Sequence, residues 1–195
     1  PVVFPKPPMT TMLPLGTYHA AAPVVFISST VLDLADLRSG IKYMLRQRGV
    51  NVLMSEASDF LLHGDRSAVD ECFENIRNCD HYILLVDKRR GSLYRPGVSV
   101  TRQELRIARE SFARTGKPHQ LLFVRHGVPE LAKRRNSALR EAGVDDPRHL
   151  RSFIKEITNP TDPKIPNFLK EFGTFEEIMD SITALLNLGR NVAES

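Results

Sequence analysis

Three groups of polar residues follow short apolar runs of the sequence, and their types could do chemistry. The first group, Ser28, Ser29 and Thr30, follows the apolar residues 24–27. Hydroxyl and backbone N–H groups at the start of a helix can hold a phosphate or a ribose. Plain helix capping explains the same residues, because Thr30 stands three positions before Asp33. Both interpretations stay open at this point.

The second group lies in a charged loop that follows the apolar residues 82–86. An acidic residue there could bind ribose hydroxyls, arginines could clamp a pyrophosphate, and an aromatic ring could stack on a base or a nicotinamide. The candidates are Asp87, Arg89, Arg90, Ser92 and Tyr94. The alternative is a solvated charged loop with no ligand.

The third group, Ser99, Thr101 and Glu104, opens the next helical segment. A carboxylate at the mouth of a sheet could act on a bound sugar, so Glu104 is the candidate catalytic residue and the two hydroxyls are candidate substrate ligands. The pattern Thr-x-x-Glu is also a capping box, in which Glu104 would fold back on its own helix.

The pattern of the surrounding elements predicts where these groups lie. Short apolar runs without alternation, at residues 24–27, 50–54, 82–86 and 121–124, are typical of strands buried on both faces, and helical patterns separate them. This order predicts right-handed βαβ units and an α/β three-layer sandwich with a parallel, flavodoxin-like sheet of four or five strands. Ligands of such sheets bind beyond the carboxyl ends of the strands, where all three groups are expected.

The remaining segments predict the limits of the domain. Prolines mark residues 1–23 as an extended arm, and a capping box of Thr174 and Glu177 begins a last helix that reaches residue 188. We expect a domain over residues 24–188 and a tail over 189–195. Within the domain, 127–173 is expected to be an irregular insertion, with a polar helix at 130–142, a short strand or helix at 150–157 and a proline-rich loop at 160–166.

Composition narrows the class of protein. The 195 residues are 42% hydrophobic and 26% charged, which suits one globular domain without a membrane span or secretory signal. Cys72 and Cys79 stand seven apart in a helical pattern and cannot bridge, so free thiols and a cytoplasmic location are expected. No histidine pair has metal-ligand spacing, and neither a metal nor a cofactor is expected. A net charge of +4 is mild and does not by itself indicate a nucleic-acid partner. Nucleic-acid binding through the basic segment 125–151 is an alternative, but that segment also holds acidic residues and lacks the interleaved aromatic residues that stack on bases.

Several segments, in order, resemble one known family. They are Val25-Phe26-Ile27-Ser28-Ser29-Thr30, Asn78-Cys79-Asp80-His81-Tyr82-Ile83, Gly91-Ser92, Ser99-Val100-Thr101-Arg102-Gln103-Glu104 and Gly116-Lys117-Pro118. Over about residues 24–126 the chain is similar to the domain of unknown function 4062, a family that looks like a relative of the Toll/interleukin-1-receptor (TIR) and nucleoside-deoxyribosyltransferase domains. The resemblance implies a TIR-like sheet.

The resemblance also implies a function. Related enzymes use a glutamate in the matching helix to break N-glycosidic bonds, a role that would fall to Glu104, with Ser28, Ser29 and Asp87 facing ribose and phosphate. NAD⁺ or another nucleotide is then the expected substrate. The family often accompanies NACHT- or STAND-type ATPases and anti-phage proteins, so a homo-oligomer and an ATPase partner or fused domain are expected. The alternative is a non-catalytic module that self-associates.

Overall fold

The structure, a computed structural model, describes residues 22–54, 68–160 and 168–186. The expected arm up to residue 21, the loop that follows residue 54, the proline-rich segment 161–167 and the tail 189–195 lie outside the described residues.

A parallel sheet of five strands forms the centre of the described fold. The strands are β1 (Val24–Ser29), β2 (Asn51–Met54), β3 (His81–Val86), β4 (Leu93–Arg95), β5 (Val98–Ser99), β6 (His119–Arg125) and β7 (Phe168–Phe172). The main sheet has the order β2-β1-β3-β6-β7, and each neighbouring pair is parallel, while β4 and β5 form a separate antiparallel hairpin. The sheet confirms the predicted fold class and strand number.

Helices cover both faces of the sheet. They are α1 (Val31–Gln47), α2 (Ala68–Asn78), α3 (Val100–Thr115), α4 (Val128–Ala132), α5 (Asn136–Glu141), α6 (Pro147–Thr158) and α7 (Phe175–Leu185). One apolar core lies under α2, α3 and α6, and the other lies under α1 and α7. Among the described residues, none of these helices is both long and apolar enough to cross a bilayer.

The alternation of side chains along β1 decides which residues meet the site. Phe26 belongs to the core under α2 and α3, whereas Val25 and Ile27 belong to the core under α1 and α7. Because successive side chains of a strand point to opposite faces, Ser28 shares the face of Phe26. Ser28 lies beside Leu84 in the register of β1 with β3, near the carboxyl ends of both strands.

Four elements differ from the sequence prediction or refine it. The loop after β3 contains the β4–β5 hairpin, whose turn holds Pro96 and Gly97, and Gly97 has the positive φ of 77° that such a turn requires. The predicted helix at 130–142 is divided into α4 and α5, because the backbone of Arg135 is extended. Residues 150–157 are helical within α6, and β7 is an edge strand that was not predicted.

Candidate functional site

A buried hydrogen bond joins β1 to α3 at the carboxyl edge of the sheet. The Ser28 hydroxyl donates to Glu104 Oε2 at 2.5 Å, across 76 positions of sequence. Ser28 has no exposed surface, and Glu104 is 2% exposed. A carboxylate so far from water depends on protein donors for its charge, and a hydrogen bond to a charged group is among the strong ones.

The helix that carries Glu104 is capped by a different residue from the one in the Thr101–Glu104 box. Ser99 is the N-cap of α3, and its Oγ accepts from the Arg102 N–H at 3.2 Å. Thr101 lies buried inside the first turn. The Glu104 carboxylate accepts its hydrogen bond from Ser28 of the sheet, and the N-cap of α3 is Ser99. A capping box formed with Thr101 is therefore the wrong explanation of this glutamate.

The loop after β3 approaches the start of α1 closely. Gly91 has a φ of 75°, and a Cβ added there would lie 3.0 Å from Thr30 Cγ2. The Thr30 hydroxyl donates to Asp33 Oδ1, while the Ser29 hydroxyl donates to the Thr30 carbonyl at 3.0 Å. Thr30 makes no side-chain bond to the helix backbone, so its hydroxyl orders Asp33 without capping α1 in the usual way.

Asp87 pairs with an arginine that the sequence reasoning missed. Its Oδ2 accepts from Arg125 Nε at 3.1 Å. Arg125 also donates to the Gly173 carbonyl and lies 4.6 Å above the Phe172 ring. Asp87 therefore belongs to a latch that joins the ends of β3, β6 and β7. Its second oxygen, Oδ1, is buried without a hydrogen bond among the described residues.

One arginine of the basic loop after β3 is bound to acidic residues of the same domain. Arg90 Nη1 lies 2.9 Å from Asp146 Oδ2, and the Arg90 backbone N–H donates to both carboxylate oxygens of Asp145. Hydrogen bonding to the His149 N–H and to Arg90 holds the pKa of Asp146 below its usual value. Arg89 is exposed.

Ser92 and Tyr94 lie on the rim of this loop. The Ser92 carbonyl accepts from the Val100 N–H at 2.9 Å, and its side chain is exposed. Tyr94 is 43% exposed and packs edge-on against Phe73 of α2, with 5.3 Å between ring centroids. The solvated-loop interpretation therefore describes Arg89 and Ser92, but not Arg90 or Tyr94.

Tyr82 and Cys72 surround Glu104, and the sequence reasoning singled out neither for this site. Burial, and then the Glu104 charge, raise the pKa of the Tyr82 phenol well above its ordinary value. The same two causes, together with Glu71, raise the pKa of the Cys72 thiol to about 12. Both groups are therefore neutral near pH 7. Both cysteines are free and buried, which confirms the sequence expectation.

A buried histidine lies beside the cap of α3. His149 Nε2 is 3.4 Å from Ser99 Oγ, and its ring is 5.6 Å from that of Phe153. Burial, and then the positive charge of Arg102, lower the pKa of His149. The Ser99 hydroxyl and the His149 ring are within hydrogen-bond distance, so this pair orders the start of the helix that presents Glu104.

Three arginines on the outer side of α3 hold α6. Glu156 accepts from Arg102 and Arg106, and the Glu156 carbonyl accepts from Arg109 at 3.2 Å. Burial raises the pKa of Glu156, but the hydrogen bonds from Arg106 and Arg102 outweigh it and leave the pKa below its usual value. We call Glu156 with these three arginines the α3–α6 clamp. Sequence spacing does not reveal it, because nothing local pairs these residues.

The described part of the chain contains no cluster of three or more His, Cys, Asp or Glu side chains that could hold a metal ion. The groups described at the carboxyl edge include the buried carboxylate of Glu104, several hydroxyls and the charged loop after β3.

Comparisons with known proteins bear on this arrangement. Residues 24–186 match the family described as Domain of unknown function (DUF4062). No curated protein is significantly similar to the chain. Among solved structures, the TIR domains of the activated Roq1 resistosome, which directly recognises the pathogen effector XopQ, superpose with a TM-score of 0.55 at 15% identity. That alignment covers 85% of this chain and 99% of the TIR chain, and it shows a TIR-like fold.

Proposed function

The chain belongs to the DUF4062 family, and from that premise we propose that it is an N-glycosidase that cleaves NAD⁺ or a related nucleotide in defence or signalling. The observation that carries the proposal is the carboxylate of Glu104, held by Ser28 at the carboxyl edge of a parallel sheet. Ligands of such sheets bind at this edge.

The chemistry needs few protein groups. In NAD⁺ the bond between ribose C1′ and the pyridinium nitrogen breaks, its electron pair stays on nitrogen, and nicotinamide leaves as a neutral molecule without a general acid. Water supplies the new oxygen at C1′, so the products are ADP-ribose, nicotinamide and one proton. A carboxylate beside C1′ stabilises the positive charge that develops on the sugar, either electrostatically or by forming a transient ester.

Burial of Glu104 sets a condition on this mechanism. At 2% exposure the carboxylate does not meet solvent, so a nucleotide must displace the groups that cover it. Exclusion of water then strengthens the attraction between the carboxylate and the sugar cation. Assembly of several copies of the chain would supply such a rearrangement. The proposal also implies a cytoplasmic location.

The other candidate residues take graded roles in the proposal. Ser28 and Ser29 end β1, Thr30 precedes α1, and Ser99 and Thr101 lie at the start of α3; in the proposal these residues would face ribose and phosphate. Arg89 and Tyr94 are exposed at the rim and would meet the pyrophosphate and an aromatic base. Arg90 and Asp87 already have partners, Asp146 and Arg125, and would act on the ligand only through the loop they hold.

The first prediction concerns Glu104 directly. Purified protein is incubated at high concentration with NAD⁺, and nicotinamide release is followed by chromatography. Glu104→Gln keeps the shape of the side chain but removes its charge, so we expect kcat to fall by about 100-fold or more. Glu110→Gln is the matched control, because Glu110 is an exposed glutamate on the same helix, and its activity should stay within about twofold of the original protein.

Equal activity of the Glu104→Gln and Glu110→Gln proteins would refute the assignment of Glu104. Absence of nicotinamide release from a protein that light scattering shows to be assembled would favour the second candidate function, a self-associating module of a STAND- or NACHT-type signalling protein. The observation behind that candidate is the likeness to TIR domains that belong to an assembly, the resistosome.

A further inference from the structure

Three residues of β3, β6 and α3 carry five buried polar atoms that have no hydrogen-bond partner among the described residues. The atoms are Tyr82 Oη, Gln120 Oε1 and Nε2, and Arg109 Nε and Nη2. Tyr82 has no exposed surface, and Gln120 is 7% exposed. Native proteins leave few buried polar atoms without a partner, so these five indicate that a further molecule binds between the three side chains.

The register of the sheet places Tyr82 and Gln120 next to each other. They are paired positions of β3 and β6, and paired positions of neighbouring strands direct their side chains to the same face of a sheet. Tyr82 belongs to the core under α2, α3 and α6, as does Leu122, two positions after Gln120 on β6. The Gln120 side chain therefore enters that same core.

Arg109 reaches this core from α3. Its Nη1 donates to the Glu156 carbonyl at 3.2 Å, whereas Nε and Nη2, which form the fork on the other edge of the guanidinium, have no acceptor among the described residues. Burial lowers the pKa of Arg109, and the neighbouring Glu156 and Tyr82 partly offset that effect. The phenol therefore lies near the guanidinium, which stays charged at neutral pH.

The charges around this fork do not balance. In the α3–α6 clamp the Glu156 carboxylate pairs with the other two arginines, and no carboxylate of the described residues lies within ion-pair distance of Arg109. Even when Glu104, which acts on the Tyr82 phenol, is counted, the region holds three positive and two negative charges. A buried charge without a counter-charge is costly, and one bound anion would remove the imbalance.

We propose that Arg109, Tyr82 and Gln120 form an internal site for one small monovalent anion, of the size of chloride, between the sheet and α3. The two N–H groups of the Arg109 fork, the phenol O–H and the Gln120 amide N–H supply the donors. Because these donors come from α3, β3 and β6, the anion ties the helix that carries Glu104 to the strands beneath it. The inference is independent of the proposed function, since it concerns the attachment of the helix and not the reaction of the glutamate.

The experiment compares thermal unfolding of the full chain in sodium chloride and in sodium gluconate at equal ionic strength. Gluconate is too large for the site, so the difference between the salts separates anion binding from charge screening. A ligand that binds only the folded state raises the melting temperature, so chloride at about ten times its dissociation constant should raise it by about 3–6 °C. Equal melting temperatures in the two salts at every concentration overturn the proposal and leave water as the partner of these atoms.

Two variants and a matched control assign the effect to this site. Arg109→Gln removes the fork and its charge, and should abolish the difference between the two salts. Gln120→Met keeps the size of the side chain without its amide, and should reduce that difference. Arg114→Gln is the control, because Arg114 is exposed on the same helix, and it should keep the full response to chloride. A full response in both Arg109→Gln and Gln120→Met overturns the proposal.

Crystals grown with bromide in place of chloride locate the anion directly in the unaltered protein. Bromide scatters X-rays anomalously near its absorption edge, so we expect an anomalous peak between the Arg109 fork and the Tyr82 hydroxyl. Peaks confined to exposed arginines would show adventitious surface binding and would overturn the internal site.

Discussion

At the residue scale, the site depends on a few side chains whose neighbours decide what each can do. Glu104 is distinguished from the other glutamate of α3, Glu110, by burial and by the Ser28 hydroxyl, and its local sequence did not separate it from a helix cap. The sequence could predict that Ser28 and Glu104 lie at the same sheet edge, since that follows from strand order. It could not predict that Tyr82 lies near Glu104 or that Arg125 pairs with Asp87, because those contacts depend on how far the side chains reach.

Gly91 offers a test of the contact between the loop after β3 and Thr30. Gly91→Ala should lower the free energy of unfolding by about 2–3 kcal/mol, because alanine is strained at positive φ and its Cβ would crowd Thr30 Cγ2. Gly97→Ala carries the same strain with open space around its Cβ, and should cost only about 1 kcal/mol. Urea denaturation of both variants measures the difference, and equal losses would mean that the Thr30 contact contributes nothing.

At the element scale, the position of α3 follows from what grips it on two sides. Ser28 holds its inner face to β1, Ser99 and His149 order its start, and the α3–α6 clamp holds its outer face. The helices themselves were predictable from periodicity, and Gly116, with a φ of 76°, ends α3 where the sequence indicated. The α3–α6 clamp was not predictable from the sequence, because Arg102 and Glu156 are 54 positions apart.

The α3–α6 clamp predicts a measurable loss when its acidic member is neutralised. Glu156→Gln leaves Arg102 and Arg106 facing a neutral amide in a half-buried place, so the free energy of unfolding should fall by about 1–3 kcal/mol. Glu141→Gln on α5 is the control, since Glu141 is exposed and should change stability by less than about 0.5 kcal/mol. Chemical denaturation at neutral pH compares the two, and a neutral effect of Glu156→Gln would show that apolar contacts alone hold α6.

At the scale of the whole molecule, sequence pattern was sufficient for the architecture and insufficient for its last strand. The four strands β1, β2, β3 and β6 are apolar enough to be recognised, and their order required a parallel sheet. The fifth strand, β7, is an edge strand with only Phe172 fully buried, so it lacks the apolar run that marks the others. The helices between β6 and β7 were obscured by their charged residues, which lie on exposed faces.

A half-buried histidine, His81, and a buried one, His149, predict how stability depends on pH. Burial, and then the neighbouring His119, lower the pKa of His81, and burial with Arg102 lowers the pKa of His149. Below about pH 6.5 the unfolded chain takes up protons that these folded histidines resist, so stability should fall as pH drops from 7.5 to 5.5. His81→Gln and His149→Gln should each flatten that slope in urea denaturation at several pH values.

His126 is the control for this measurement, because its side chain is 80% exposed, with Nδ1 3.6 Å from Glu171 Oε2. His126→Gln should keep the slope of the original protein. A slope that survives replacement of both His81 and His149 would assign the acid sensitivity to other groups.

The second half of the domain has a consequence for any attempt to shorten it. The recognisable motifs end near residue 126, yet α6 supplies Leu150, Phe153 and Ile157 to one core, and Phe172 and α7 close the other. A fragment that ends after the last motif would keep Glu104 and Ser28 but expose apolar surface on both faces of a sheet that lacks its edge strand. Such a fragment would aggregate, and its lack of activity would not test the role of Glu104.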